Sequence, residues 1–288
     1  MRIRHAASAA VLLVSPVAAA AQESADPAAP PTSRPFTVSG SVAILTDYRL
    51  RGVSQSDRRP ALQGALTLAH ESGLYIGTFA SNLAGWGTFG GSNLELDAIG
   101  GYRHAFGSAT VDAGLTWYMY PGGAAKTDYA EAFAKLSGTA GPATLLAGVA
   151  YAPKQQALGR WYDNGAQAAA GTYAHPGAKA DNLYLWGDGA YAVAGTPITA
   201  KAHIGYSAGN RGLGPNATSA APTGRYWDWQ LGADYAVRGT PMTLNVSWID
   251  TDISRREAAY LQPSFSKGQN GSGTIAGSTL FASLTAAF

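Results

Sequence analysis

Cysteine is absent from the 288-residue chain, which excludes a disulfide framework and thiolate chemistry. Charge is scarce too, at 13% of residues, and no basic run occurs that would suit nucleic acid. No group of His, Asp or Glu has metal-ligand spacing, so neither a metal nor a cofactor is expected. Beyond the amino terminus, no stretch approaches the roughly 18 apolar residues of a membrane helix. Yet 46% of the chain is hydrophobic, with 36 Gly and 30 Phe, Trp and Tyr residues. Those side chains must be buried without a long apolar run.

The first 21 residues stand apart. Arg2, Arg4 and His5 form a positive start, Ala6 to Val17 is apolar, and Ala18 to Ala21 offers small-residue cleavage choices. Residues 1–21 are expected to be a cleaved signal peptide. Residues 22–35, rich in Ala, Pro and Ser, read as a flexible periplasmic leader. Without the signal, 18 basic residues balance 18 acidic ones, so the exported chain is near neutral.

From residue 36 onward the pattern has period two. Along "YWDWQLGADYAV", Trp227, Trp229, Leu231, Ala233, Tyr235 and Val237 alternate with Tyr226, Asp228, Gln230, Gly232, Asp234 and Ala236. The same alternation predicts strands at 36–48, 61–71, 74–82, 93–104, 109–119, 128–137, 143–151, 182–192, 198–207, 226–237, 242–251 and 278–288. Compact turns such as "AGTP" (194–197) and "RGTP" (238–241) separate some of them. Longer links at 49–60, 83–92, 120–127, 152–181, 208–225 and 252–277 separate the others, and short and long alternate. That is the layout of an all-β, transmembrane, antiparallel up-and-down β-barrel over 36–288, with short periplasmic turns and long extracellular loops. Twelve strands are expected. Trp117, Trp227, Trp229, Trp248, Tyr151 and Tyr206 fall toward strand ends, where interfacial aromatics belong.

An apolar face toward lipid leaves the other face for the lumen. On that parity stand Asp47, Arg49, Arg51, Glu71, Glu95, Asp97, Arg103, Asp112, Glu131, Lys135, Asp188, Lys201, His203, Asp228 and Asp234. A Lys or Arg on the lipid face at the midplane would cost about 2–4 kcal/mol, so their placement is dictated by physics before function. Two readings stay open: pairs that brace the interior, or charges that select ions.

Charge is densest in "DYRLRGVSQSDRRPALQG" (47–64). It is expected to leave the first strand, turn at the outer mouth and re-enter at Pro60, with Arg58 and Arg59 at the rim. Its arginines suit either an anionic solute or lipopolysaccharide phosphate, or salt bridges that hold the loop down.

This region also resembles a known family. Asp47-Tyr48, "RGVSQ" (51–55), Pro60-Ala61 with Gln63-Gly64, and Glu95, Asp97, Gly101 and Tyr102 are similar to the motifs of the TorF-type porins. The resemblance is specific over 36–104. It implies an exported outer-membrane barrel and a passive pore, and no particular solute.

Three function classes follow. The first is a channel for passive diffusion of small polar solutes or ions. The second is a barrel anchor whose loops, such as "GRWYDNGAQAAAGTYAHPG" (159–177), bind a ligand, lipopolysaccharide or partner. The third, a lipase or deacylase, lacks a recognisable triad around His70, His104, His175 or His203, so no enzyme is expected. Bacterial outer-membrane lipid, the insertion machinery reading the terminal Phe288, and a homo-oligomer are the expected partners.

Overall fold

The computed structural model describes residues 35–84, 92–123, 126–159, 170, 172, 177–209, 224–255 and 274–288. The expected signal peptide, the leader before Pro35, His175 and most of the loop 159–177 lie outside the described residues.

Twelve strands form the wall: β1 (Phe36–Leu45), β4 (Ala61–His70), β5 (Leu74–Asn82), β6 (Leu94–Phe106), β7 (Ala109–Met119), β8 (Tyr129–Ala140), β9 (Ala143–Gln155), β10 (Ala180–Ala192), β11 (Ile198–Ala208), β12 (Arg225–Ala236), β13 (Met242–Thr251) and β14 (Thr279–Ala287). Two short strands, β2 (Arg49–Leu50) and β3 (Val53–Ser54), form a separate sheet, and one helical turn, α1 (Gln156–Gly159), follows β9. Every wall strand pairs antiparallel with its neighbours, and β1 closes on β14. Closure leaves no open edge, as a sheet in lipid requires. The closing pair is locked at its end by Gly40 and Phe288, which exchange two backbone hydrogen bonds of 2.9 Å.

Alternation decides which way each strand faces. Val42, Ile44, Leu62, Leu66, Leu74, Ile76, Leu115, Leu145, Leu185, Ile204, Leu231 and Leu280 are exposed on the outside. Such an apolar surface on a closed barrel is stable only against lipid. Aromatics mark its two margins. Trp117, Tyr151, Trp227 and Trp248 stand exposed toward the long-loop end, and Phe36, Tyr102, Phe106, Tyr191 and Tyr235 toward the other. On β12, Trp227 and Tyr235 are eight residues apart, roughly 27 Å along the strand. Strand tilt brings that close to the roughly 25 Å band of an outer-membrane barrel.

The short connections 71–73, 107–108, 141–142, 193–197 and 237–241 lie at one end with the start of β1 and the end of β14, which is the periplasmic end in such barrels. Two of them are built alike. In each, a Gly with positive φ (Gly195, Gly239) precedes a Thr whose hydroxyl bonds back to the strand end, Thr196 to Val193 and Thr240 to Val237, both at 2.9 Å. The strand ends that the long connections join share the other, outer end.

Inside, aromatic rings lie flat against glycines of the adjoining strand. A Cβ at Gly148 would strike the Trp186 ring, and one at Gly114 would meet the Phe133 ring and the backbone of Gly100. Some of the glycines therefore make room for large side chains in the interior, at Gly101, Gly114, Gly148 and Gly205. Twelve strands enclose more space than the eight that side chains just fill, and less than the sixteen of a clear aqueous channel.

Candidate functional site

The stretch 47–57 is not a rim. It turns inward, and every residue from Asp47 to Asp57 is buried. The local reason is a tight turn between β2 and β3. Arg51 (φ 50°) and Gly52 (φ 77°) both adopt positive φ, as a two-residue type I′ hairpin demands. Arg49 then pairs with Ser54 and Leu50 with Val53.

Asp47 holds the base of this hairpin. Its carboxylate sits 2.7 Å from Arg49 Nε and accepts from Ser54 Oγ at 2.6 Å. Arg49 Nη1 donates to the Gly52 and Gly277 carbonyls, both at 2.8 Å. The outer edge of β3 is covered by the segment before β14, where the Ile275 carbonyl accepts from Ser54 N at 2.8 Å. Leu50 joins a buried apolar cluster with Tyr48, Tyr120, Tyr129 and the α1 residues Ala157 and Leu158.

At the tip, Arg51 crosses the interior. Its Nη2 lies 2.6 Å from Glu131 Oε1 on β8, and its guanidinium is 4.2 Å from the Tyr184 ring centroid on β10. Its carbonyl accepts from the Tyr226 hydroxyl on β12 at 3.1 Å. Burial works against the Arg51 charge, but Glu131 together with Tyr118 and Tyr129 outweighs it, and the net shift is upward. Tyr48 donates to Glu95 on β6 at 2.8 Å, and burial, then Glu95 and Asp97, pushes its hydroxyl well above the ordinary phenol range. The loop is thus tied to β6, β8, β10 and β12 inside the outer part of the barrel.

The other interior charges form small sets. His203 bridges two carboxylates, Asp188 at 2.6 Å and Asp228 at 3.1 Å, with the Tyr184 hydroxyl 3.0 Å from its Nε2. Asp112 meets Lys135 at 3.0 Å and Arg103 at 3.3 Å, and accepts from Tyr75 at 2.7 Å. Lys201 meets Asp234 at 3.1 Å, and Asp234 accepts from Asn245 at 2.6 Å. Glu95 and Asp97 on β6 have no basic partner among the described residues.

The structure therefore places Glu95, Asp97, Asp112, Glu131, Asp188, Lys201, His203, Asp228 and Asp234 inside the wall, buried, with Lys135 and Arg103 half-buried. Two expectations need correction. Glu71 is exposed in the turn 71–73, because β4 ends at His70 before that position can face inward. Arg49 and Arg51 do not edge an open mouth, since the hairpin carries both into the interior. Arg58 is half-buried, while Arg59 is exposed and lies 3.8 Å from Asp57. Sequence reasoning missed the buried tyrosines, Tyr48 at the base of the hairpin and Tyr118, Tyr129, Tyr184 and Tyr226 on the wall around it. Tyr184 and Tyr226 share parity with Asp188 and Asp228, which would have placed them inside.

Among curated proteins, none matches this chain in sequence. Among solved structures, it is similar to the KdgM porin in complex with disordered oligogalacturonate, at 7% identity and a TM-score of 0.47, over 88% of this chain and 99% of that one. An outer-membrane channel from Pseudomonas putida F1 is similar at 12% identity and a TM-score of 0.41, over 91% of this chain and all (100%) of the other. At such identities these likenesses bear on neither solute nor mechanism. A family model described as "Bacterial protein of unknown function (Gcw_chp)" matches residues 28–288, and the chain belongs to that family.

Proposed function

We propose that this protein is a narrow outer-membrane channel for passive diffusion of ions and the smallest polar solutes, restricted by its own first outer loop. The observation that supports this reading is the burial of Asp47–Asp57 inside the barrel, anchored through Arg51 to Glu131 and Tyr184. A wall whose inner face carries ionisable side chains from β6 to β12 is suited to polar cargo. The resemblance of 36–104 to TorF-type porins points the same way, as an expectation. A catalytic role has less support. His203 lies between two carboxylates and a tyrosine, with no Ser, Thr or Lys within hydrogen-bonding reach among the contacts described.

In its cell the chain would be exported by its signal peptide and delivered to the insertion machinery through Phe288. Lipopolysaccharide would meet Arg59 at the rim, and association of barrels through the lipid face belongs to the same reading.

The burial of Asp47–Asp57 also favours a second reading, a closed barrel that serves as an anchor for its loops. Flux into liposomes separates the two. Refolded protein lacking residues 1–21 should admit small ions faster than protein-free liposomes, and disaccharides no faster. Ion flux equal to the protein-free control, from protein shown to be folded by heat-shifted gel mobility, would favour the anchor.

A further inference from the structure

Among the described residues, the wall beside the hairpin is short of positive charge. Glu95 and Asp97 on β6 are fully buried (both 0% exposed), and Glu131 on β8 is nearly so (3%). On the wall they run diagonally. Register places Glu95 opposite Ser81, Asp97 level with Phe79 and Tyr118, and Glu131 opposite Thr116, while Tyr118 is level with Tyr129. Of the three, Glu131 is the one that a cation meets among the described residues, through its bond to Arg51. Arg49 is engaged by Asp47. Among the described residues Glu131 therefore has a counter-charge, and Glu95 and Asp97 have none in ion-pair contact.

Their oxygens are orphaned as well. Glu95 Oε1 accepts from Tyr48, but Glu95 Oε2 and both oxygens of Asp97 have no hydrogen-bond partner among the described residues. A buried carboxylate lacking both donor and counter-ion costs several kcal/mol. Residues two apart on one strand project to the same face about 7 Å apart, close enough to converge on one ion. The donors nearby are oxygens: two carboxylates, with the hydroxyls of Tyr48 and Tyr129 beside them. Oxygen-only donors suit a hard cation rather than zinc or copper. Among the described residues no three carboxylates or imidazoles converge as a ready-made metal centre, so a site here rests on two carboxylates.

We propose that Glu95 and Asp97 bind a divalent cation of the calcium type, which neutralises the pair and holds the inward loop in place. This goes beyond the channel reading and does not depend on ions passing through the barrel.

The test uses the full mature chain, refolded in detergent, freed of lipopolysaccharide and treated with chelator. Equilibrium dialysis against radioactive calcium should count a single saturable calcium per chain. Calcium should raise the thermal midpoint of the native barrel, whereas sodium chloride of equal ionic strength should not. Asp97→Asn should lose the bound calcium and the thermal response, and in chelator it should be more stable than the parent. If that variant does not fold, Glu95→Gln serves in its place, and the calcium count on the parent chain decides alone. No saturable calcium on the parent would overturn the proposal, because protons would then neutralise the pair. Calcium retained by a folded Asp97→Asn barrel would overturn it equally.

Discussion

Arg51 concentrates the energetics of the interior in one side chain. It is buried, bonded to Glu131 and stacked on Tyr184, so its charge is tolerated only while those partners remain. Removing one member of a buried ion pair typically costs about 3–5 kcal/mol, because the other is left uncompensated. Glu131→Gln is therefore expected to destabilise the barrel by an amount in that range, measured by urea unfolding in detergent. Adding Arg51→Leu to Glu131→Gln should restore a large part of the loss, since no lone guanidinium then remains. A double variant as unstable as the sum of its parts would mean that the two residues act independently. At this scale the sequence was partly legible. Parity placed Asp112, Glu131, Asp188, Lys201 and Asp228 on the wet face, because a charge toward lipid is so costly. It misplaced Glu71 by ignoring where β4 ends. It also did not show which charges meet, since partners such as Arg51 and Glu131 are 80 residues apart in the chain.

The β2–β3 hairpin is the element on which the interpretation turns. Polar, Arg-rich and Ser-rich sequence looks like a solvent-facing loop, and composition alone supports that view. Its fold was nevertheless signalled. Leu50 and Val53 flank Arg51-Gly52, an apolar pair around a Gly-containing two-residue turn, which is a hairpin pattern. What composition cannot convey is that the barrel supplies enough carboxylate and hydroxyl partners to bury those charges. The β1 strand shows the consequence. Period two extends it to Tyr48, but it ends at Leu45 because Asp47 turns away to organise the hairpin. Strands β6, β8 and β9 instead run a few residues beyond the alternation, carried on by the ladder of their neighbours. The natural absence of cysteine allows a direct check of burial. Val53→Cys should resist a water-soluble maleimide in the folded barrel, whereas Arg59→Cys should react quickly. Both should react in urea. Equal labelling of the two in the folded state would place the hairpin outside.

Across the whole molecule, one alternation serves two solvents. Large aliphatic side chains meet lipid, and charges, tyrosines and glycine-backed aromatics line the inside. Closure rests on the β1–β14 seam, where the Phe288 ring covers Gly40 and the two backbones exchange hydrogen bonds. Deleting Phe288 removes both bonds, each worth about 0.5–1.5 kcal/mol, and uncovers the glycine. Lower heat resistance of the folded gel band is expected, together with slower assembly into bilayers. Unchanged heat resistance would show that the seam does not depend on its last residue. The number of strands, their order and the end at which the loops gather were legible in the sequence because loop lengths and parity report them. Whether the lumen is open was not, because that depends on where a single loop comes to rest.

Single-channel conductance in a planar bilayer tests the central claim most directly. The mature protein is compared with a variant in which residues 49–54 are replaced by a short glycine-serine linker. If the inward hairpin restricts the channel, the parent should give small steps and the variant steps several-fold larger in the same salt. Identical conductance in two demonstrably folded proteins would contradict the account, because the hairpin would then lie off the conduction path.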